Sequence, residues 1–539
     1  MITSLFDLDR TVREATRRLA RARASLSERL PPGEPVPSPL APFRSVLSKA
    51  TYDELADLPD PLLAPALRSH LARLILARVL WDDEVRLARA WTDPSVTLGD
   101  HTPLPPLPRA VSRTADGTSF PPKLLLQALL VDPNPDRRAR IAEAFTRAAR
   151  DHLRDPARRH ADRRAAASHQ LGVPLDALDL PPITPAPPPE PDPALEAEAR
   201  ALASGAGGLA MVLAPKAPAS AASVLDAAAA DLLSATAPLR VKFGPWDAGL
   251  GASMAREATA GWPAHLSPRW ILSVFAGTEL SRAESLPPVR LPVVLGATSF
   301  ARALAVFGEA FAESAASTAA PFAMMRAPID LRPMRVAALT ASLAADPVVA
   351  RRVLDLGPAA RDHARLFARA AAANLRLAAA ASRARGSFFP LADDLDDRFC
   401  EETASAWGEP LPPELAGLVP RIDEATPARF AALLLAATDR AQMIERFDED
   451  WYRNPRSAEA LRALATEPLA PIPEASLRRG AATSPASSSI SRPDRITRPP
   501  SRSARGGSVA LKDLRIRPAR APRAHRRSSA APAAIACLS

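Results

Sequence analysis

Two cysteines in 539 residues, Cys400 and Cys537, exclude a disulfide framework and a thiolate metal cluster, and they fit a reducing compartment. Aromatic residues make up only 5% of the chain, so Leu, Val and Ala must fill the core. Burial stabilises by about 25 cal/mol per Å², and each Ala buries little area. Such a core therefore needs many helix contacts rather than a few large anchors. Glycine is scarce beside proline, 21 against 59, and proline punctuates helices because it lacks an N–H and its ring clashes. No apolar run approaches the roughly 20 residues of a membrane span, so no membrane partner is expected. Asp7 and Asp9 break the apolar start of the chain, which does not read as a signal peptide. These absences together predict a cytoplasmic protein.

What is present is sharply polarised in charge. Residues 471–539 carry 14 Lys and Arg against 3 Asp and Glu, while the whole chain carries 69 against 59. The net +10 is therefore a property of the last segment, and residues 1–470 are close to neutral. Arg515, Arg517, Arg520, Arg523, Arg526 and Arg527 in that segment are candidate phosphate ligands for non-specific nucleic-acid binding. No aromatic residue follows Tyr452, so nothing there would stack on bases. The same Ser/Arg/Pro/Ala mixture arises when GC-rich coding DNA is read in a shifted frame, and it also fits a solvated extension. In each case the segment cannot bury enough apolar area to offset ordering, and it is expected to be disordered from Pro471 onward.

Hydrophobic spacing predicts a mainly α-helical fold, a multi-helix, two-lobed body with proline-rich linkers. Leu5, Val12, Leu19 and Leu26 mark a helix over residues 4–30, and Pro31–Pro42 ends it. A second helical block runs from Phe43 to Trp91, a loop covers 100–122, and a third block over 123–167 is split by Pro133 and Pro135. Residues 181–193 form a proline-rich linker, expected as polyproline II. The organisation read from these breaks is an N-terminal helical region (1–180), the linker, a main helical domain (194–470) and the tail (471–539). Residues 239–243 alternate like a short strand. Within 361–385, His363, Leu366, Phe367, Ala370, Asn374 and Leu377 share one face, whereas Arg365, Arg369 and Arg376 line another that is expected to be solvated.

Complete catalytic signatures are missing. Asp393, Asp394 and Asp397 fit the Asp-Asp-x-x-Asp pattern with which isoprenoid synthases hold Mg²⁺, since hard carboxylate oxygens suit a hard cation. The second Mg²⁺ motif is absent, and acidic residues in a first helical turn are also favoured by the helix dipole. Gly251–Ala255 is similar to a nucleophile elbow that has lost its last glycine, and it lacks the strand that must precede one. Gly205–Gly208 lacks the P-loop lysine. His265, between Trp262 and Trp270, is the histidine best placed for chemistry and equally suited to packing.

Residues 298–314, TSFARALAVFGEAFAES, resemble the zinc-motif helix of thimet-type metallo-oligopeptidases. Where that family reads Phe-His-Glu-Phe-Gly-His-Ala, residues 304–310 read Leu-Ala-Val-Phe-Gly-Glu-Ala. Phe307, Gly308 and Ala310 match, while Ala305, Val306 and Glu309 stand in place of the two His ligands and the catalytic Glu. The resemblance implies a large helical protein that has lost zinc chemistry at these positions, with no cofactor. The expected function is a non-catalytic scaffold or peptide-binding protein, with peptide or protein as partner. The alternatives are nucleic-acid association through the tail and a Mg²⁺-dependent helical enzyme.

Overall fold

The computed structural model describes residues 4–26, 30, 34–98, 112–114, 117–131, 134–181, 183–184, 220–237, 261–263, 267–282, 297–315, 320–388, 394–419, 422–467 and 472–483. Helices dominate them, as the apolar spacing predicts. In the N-terminal region α1 (Leu5–Leu26) turns Leu8, Val12, Ala15, Leu19 and Leu26 inward. After it, α2 (Lys49–Glu54) starts at Ser48, whose hydroxyl accepts the Thr51 N–H and satisfies one of the helix's orphan donors. The long α3 (Leu63–Thr92) is held against α1 by the buried Leu67, Leu71 and Leu74.

Pro133 and Pro135 divide α4 (Pro122–Val131) from α5 (Pro135–Ala148), and Asn134 caps α5 by accepting the Asp136 and Arg137 N–H groups. A π-turn over Ala149–Leu153 leads into α6 (Arg154–Leu171), which Gly172 ends at φ +75°, where a Cβ would be strained. The short α7 (Leu175–Asp179) follows. The stretch expected to be loop instead contributes to a small antiparallel sheet of β1 (Val96–Thr97), β2 (Ser112–Thr114) and β3 (Gly117–Phe120), in the order β1-β3-β2. Its Val96 and Phe120 are buried against α4 and α5, so tertiary packing makes strands where the local sequence has little β preference.

At the start of the proline-rich segment lies β4 (Ile183–Thr184), and beyond the segment lie α8 (Ala221–Ala235), α9 (Pro268–Val274), α10 (Ala297–Ala315), α11 (Phe322–Met325) and α12 (Leu331–Ala341). They are followed by α13 (Pro347–Arg352), α14 (Ala360–Phe388), α15 (Leu395–Trp407), α16 (Thr426–Phe447) and α17 (Ser457–Thr466). The last elements are β5 (Ile472–Pro473) and α18 (Glu474–Thr483). Small residues set the closest approaches. A Cβ on Gly308 of α10 would lie 2.3 Å from Thr340 Oγ1 of α12, and one on Gly480 of α18 would lie 2.1 Å from the Leu434 carbonyl oxygen of α16.

Three expectations need correction. The segment from Pro471 is not unstructured throughout: β5 pairs in parallel with β4, and Leu477 of α18 is fully buried beside Phe430 and Leu434. Pro471 and 484–539, with the six candidate phosphate-binding arginines, lie outside the described residues. The start of the expected linker is likewise core, since Ile183 is buried next to Ile472. Another apolar cluster joins Leu125, Ile141 and Phe145 to Phe399, Leu411 and Leu415, so packing does not divide at 181–193.

The third correction concerns the arginine face of α14. Arg365 is exposed, but Arg376 is 1% exposed. Its guanidinium donates to the Ala406 carbonyl (2.8 Å), the Leu233 carbonyl (2.8 Å), the Ser405 carbonyl (2.5 Å) and the Thr236 hydroxyl. Two helices, α8 and α15, end there, and one cation takes up the orphan carbonyls of both while meeting the negative ends of their dipoles. Asn374, expected inside, is exposed.

Candidate functional site

A groove of about 410 Å³ opens between α2, the N-terminal half of α3 and α7. Its size falls within the range of about 300–1,000 Å³ typical of ligand sites. Most of the lining residues are apolar, with Leu55, Ala64, Ala72 and Leu178 buried behind the surface and Pro61 and Pro65 stiffening the rim, but the surface that they expose is evenly shared between polar and apolar atoms. Two charged side chains interrupt this lining. Asp60 accepts the N–H groups of Leu62 (3.0 Å) and Leu63 (2.7 Å) at the start of α3. Those backbone hydrogen bonds hold its carboxyl below the ordinary range, so it is committed to the helix as an anion.

Arg68, half-buried, sits across the groove lining with its guanidinium 4.3 Å from the ring centre of buried Tyr52. Its Nε is buried without a hydrogen-bond partner, and it makes no ion pair among the described residues. Leu62, 66% exposed, stands beside the groove on the turn into α3. Nothing in the local sequence marks these residues as a unit: Tyr52 and Arg68 are brought together by the α2–α3 turn. The one available signal was that tyrosine occurs only twice in the chain.

A second concentration of charge lies behind α7. Arg164 forms a bidentate pair with Asp179 (2.8 and 2.5 Å), both nearly inaccessible. Arg23 binds Glu84 (2.6 and 2.9 Å) and reaches Glu424 (3.5 Å), which precedes α16. Burial opposes the charge on Glu424, yet Arg23, Arg164, Arg73 and His160 together hold its pKa at about 2. Glu424 keeps 34% of its side-chain surface open, so solvent screens part of this attraction. The cluster fastens α1, α3, α6 and α7 to the main helical body. A similar bidentate pair, Arg335 with Asp439 (2.5 and 2.6 Å), fastens α12 to α16. These carboxylates are already saturated by arginines.

The residues singled out from sequence do not converge. Phe307 and Gly308 of α10 face α12 and are buried, whereas Ala305, Val306 and Glu309 lie on the partly accessible side. The two matched packing residues are thus explained by the close contact of two helices. Glu309 is half-buried, and burial, followed by repulsion from Glu313 one turn on, raises its pKa to about 7. Asp394 and Asp397 are exposed at the start of α15, Asp396 pairs with Arg154, and Asp393 lies outside the described residues. No cluster of three metal-ligating side chains occurs among the described residues.

His265, residues 205–208, 239–243 and 251–255, and Cys537 also fall outside the described residues. The histidine found near Trp262 is instead His363, 4.8 Å from Phe367 and 5.9 Å from Trp262 between ring centres. Burial lowers its pKa, so it sits neutral within an aromatic group that also holds Phe300. No helix among the described residues is long and apolar enough to cross a membrane. The chain matches no protein-family profile, and no curated protein aligns with it at a significant level.

Proposed function

We propose that this chain is a non-catalytic helical scaffold that binds a peptide segment in the groove between α2, α3 and α7. The observation that carries this reading is the groove itself, a trough of about 410 Å³ on the long α3 helix, lined mainly by apolar residues and presenting polar and apolar surface in equal measure. A mixed surface of this kind suits an extended chain, because side chains provide contact area and polar groups set register. The buried charges elsewhere support a non-catalytic reading. Asp179, Asp439 and Asp346 are each engaged by arginine, an arrangement that fixes helices together and leaves their carboxylates occupied. A helical fold related to oligopeptidases, with its zinc positions replaced by Ala305, Val306 and Glu309, is compatible with this role and rests on the short resemblance alone.

Calorimetric titration of the full chain with a pool of short, apolar, unstructured peptides tests the proposal. Saturable binding is expected, and Ala177→Trp should weaken it at least about tenfold, because the new ring fills the trough from an exposed position without entering the core. Binding that is unaffected by Ala177→Trp would remove the groove from consideration.

A further inference from the structure

We infer that the groove selects peptides bearing a carboxylate, and that Arg68 is its seat. This rests on the peptide-binding reading above and adds the chemistry of the ligand. Several arginines of the helical body are held by acceptors: Arg164 has Asp179, Arg332 has Asp330 and the Glu467 carbonyl, Arg335 has Asp439 and Glu467, and Arg376 has three carbonyls and a hydroxyl, although Arg78, Arg89, Arg385 and Arg453 share with Arg68 a buried Nε without an acceptor. Arg68 has only the Tyr52 ring under it, and its Nε is buried without an acceptor.

Taking part of a cation out of water without a counter-charge is unfavourable, as at the half-buried Arg68, and a stacked ring returns only part of that cost. An anion entering the groove would recover the rest. Stacking also fixes the plane of the guanidinium, so its donors are pre-oriented for the two oxygens of a carboxylate, the planar group that an arginine fork fits best. Asp60, the other charge in the groove, is held ionised by backbone N–H groups of α3 and cannot turn to neutralise Arg68 without uncapping that helix. Its negative charge excludes a second acid nearby and sets polarity along the trough. The matching ligand is therefore an extended peptide with an apolar body and one carboxylate. An Asp or Glu side chain and a C-terminus both supply that carboxylate with the same chemistry.

The test uses the full chain and isothermal titration with three versions of one short Leu/Pro-rich peptide. The first has a central Glu and an amidated C-terminus, the second has Gln and an amide, and the third has Gln and a free C-terminus. The Glu peptide, the free-carboxylate peptide or both should bind about tenfold or more tightly than the neutral one, the scale of a charge-assisted hydrogen-bonded pair. Which of the two gains identifies the source of the carboxylate. Arg68→Gln should erase the difference between the charged and neutral peptides, and Arg68→Lys, which keeps charge but not the fork, should retain only part of it. A thermal melt of each variant that matches wild type is the control that the variants fold. Equal affinity for all three peptides overturns the carboxylate inference and leaves the groove reading standing. Absence of binding by any of them overturns both.

Discussion

Replacing Glu309 with Gln should stabilise this protein at neutral and alkaline pH and do almost nothing in acid. Folded Glu309 titrates near 7, against an ordinary 4.5, because the packed surroundings of α10 disfavour its charge and Glu313 adds repulsion. Between those two values the native state keeps a proton that the unfolded chain has already released. Stability therefore falls as pH rises through that window, the reverse of the usual salt-bridged carboxylate. At about pH 8 the accumulated loss is about 3 kcal/mol, and at about pH 4 it is only a few tenths. Gln has nearly the same shape and no charge to desolvate, so it lacks this loss. Urea unfolding of wild type and Glu309→Gln across that pH range measures it directly. The expected difference grows from nearly nothing to roughly 2–3 kcal/mol in favour of the variant. A difference that stays flat with pH, or a variant less stable above neutrality, would refute the burial argument.

Two further perturbations probe the fold and the tail. Arg376→Met strands the carbonyls of Leu233, Ser405 and Ala406 without a donor and should lower the unfolding free energy by at least about 3 kcal/mol; a loss under about 1 kcal/mol in urea titration would show that water replaces the guanidinium. A chain ending at Thr483 should melt like full-length protein and lose any salt-dependent DNA binding, whereas one ending at residue 470 should be destabilised because Leu477 and Ile472 leave the core. Duplex binding that survives truncation at Thr483 would place the polyanion site in the helical body.

The sequence carried the helices well because their evidence is local. Leu8, Val12, Ala15 and Leu19 repeat at helical spacing, and Pro133 and Pro135 forbid one helix where two are found. What failed depended on partners distant in the chain. Arg376 falls in register with exposed Arg365, and only the convergence of α8 and α15, more than a hundred residues apart, makes it a core residue. The α18 helix shares its Ser, Arg and Ala content with the segment after it, and Leu477 and Gly480 acquire meaning only against Leu434. The sheet was invisible for a similar reason, since Val96 and Phe120 are strand residues through their burial on α5. The groove was illegible because a cation–ring contact between residues 52 and 68 leaves no periodic trace.

The pairing of β4 with β5 has a consequence for how the chain is made. Ile183 meets Ile472 in the same apolar cluster that holds Val224, Leu225 and Leu232, and Leu477 of α18 closes it. During synthesis at about 5–20 residues per second, that cluster waits on the order of ten to sixty seconds for its last members to emerge. Until then the faces of α8 and α16 that α18 will cover are open to water and to one another. The interval in which this protein is most exposed to misassembly is therefore set by the ribosome's pace, and it ends only when α18 arrives.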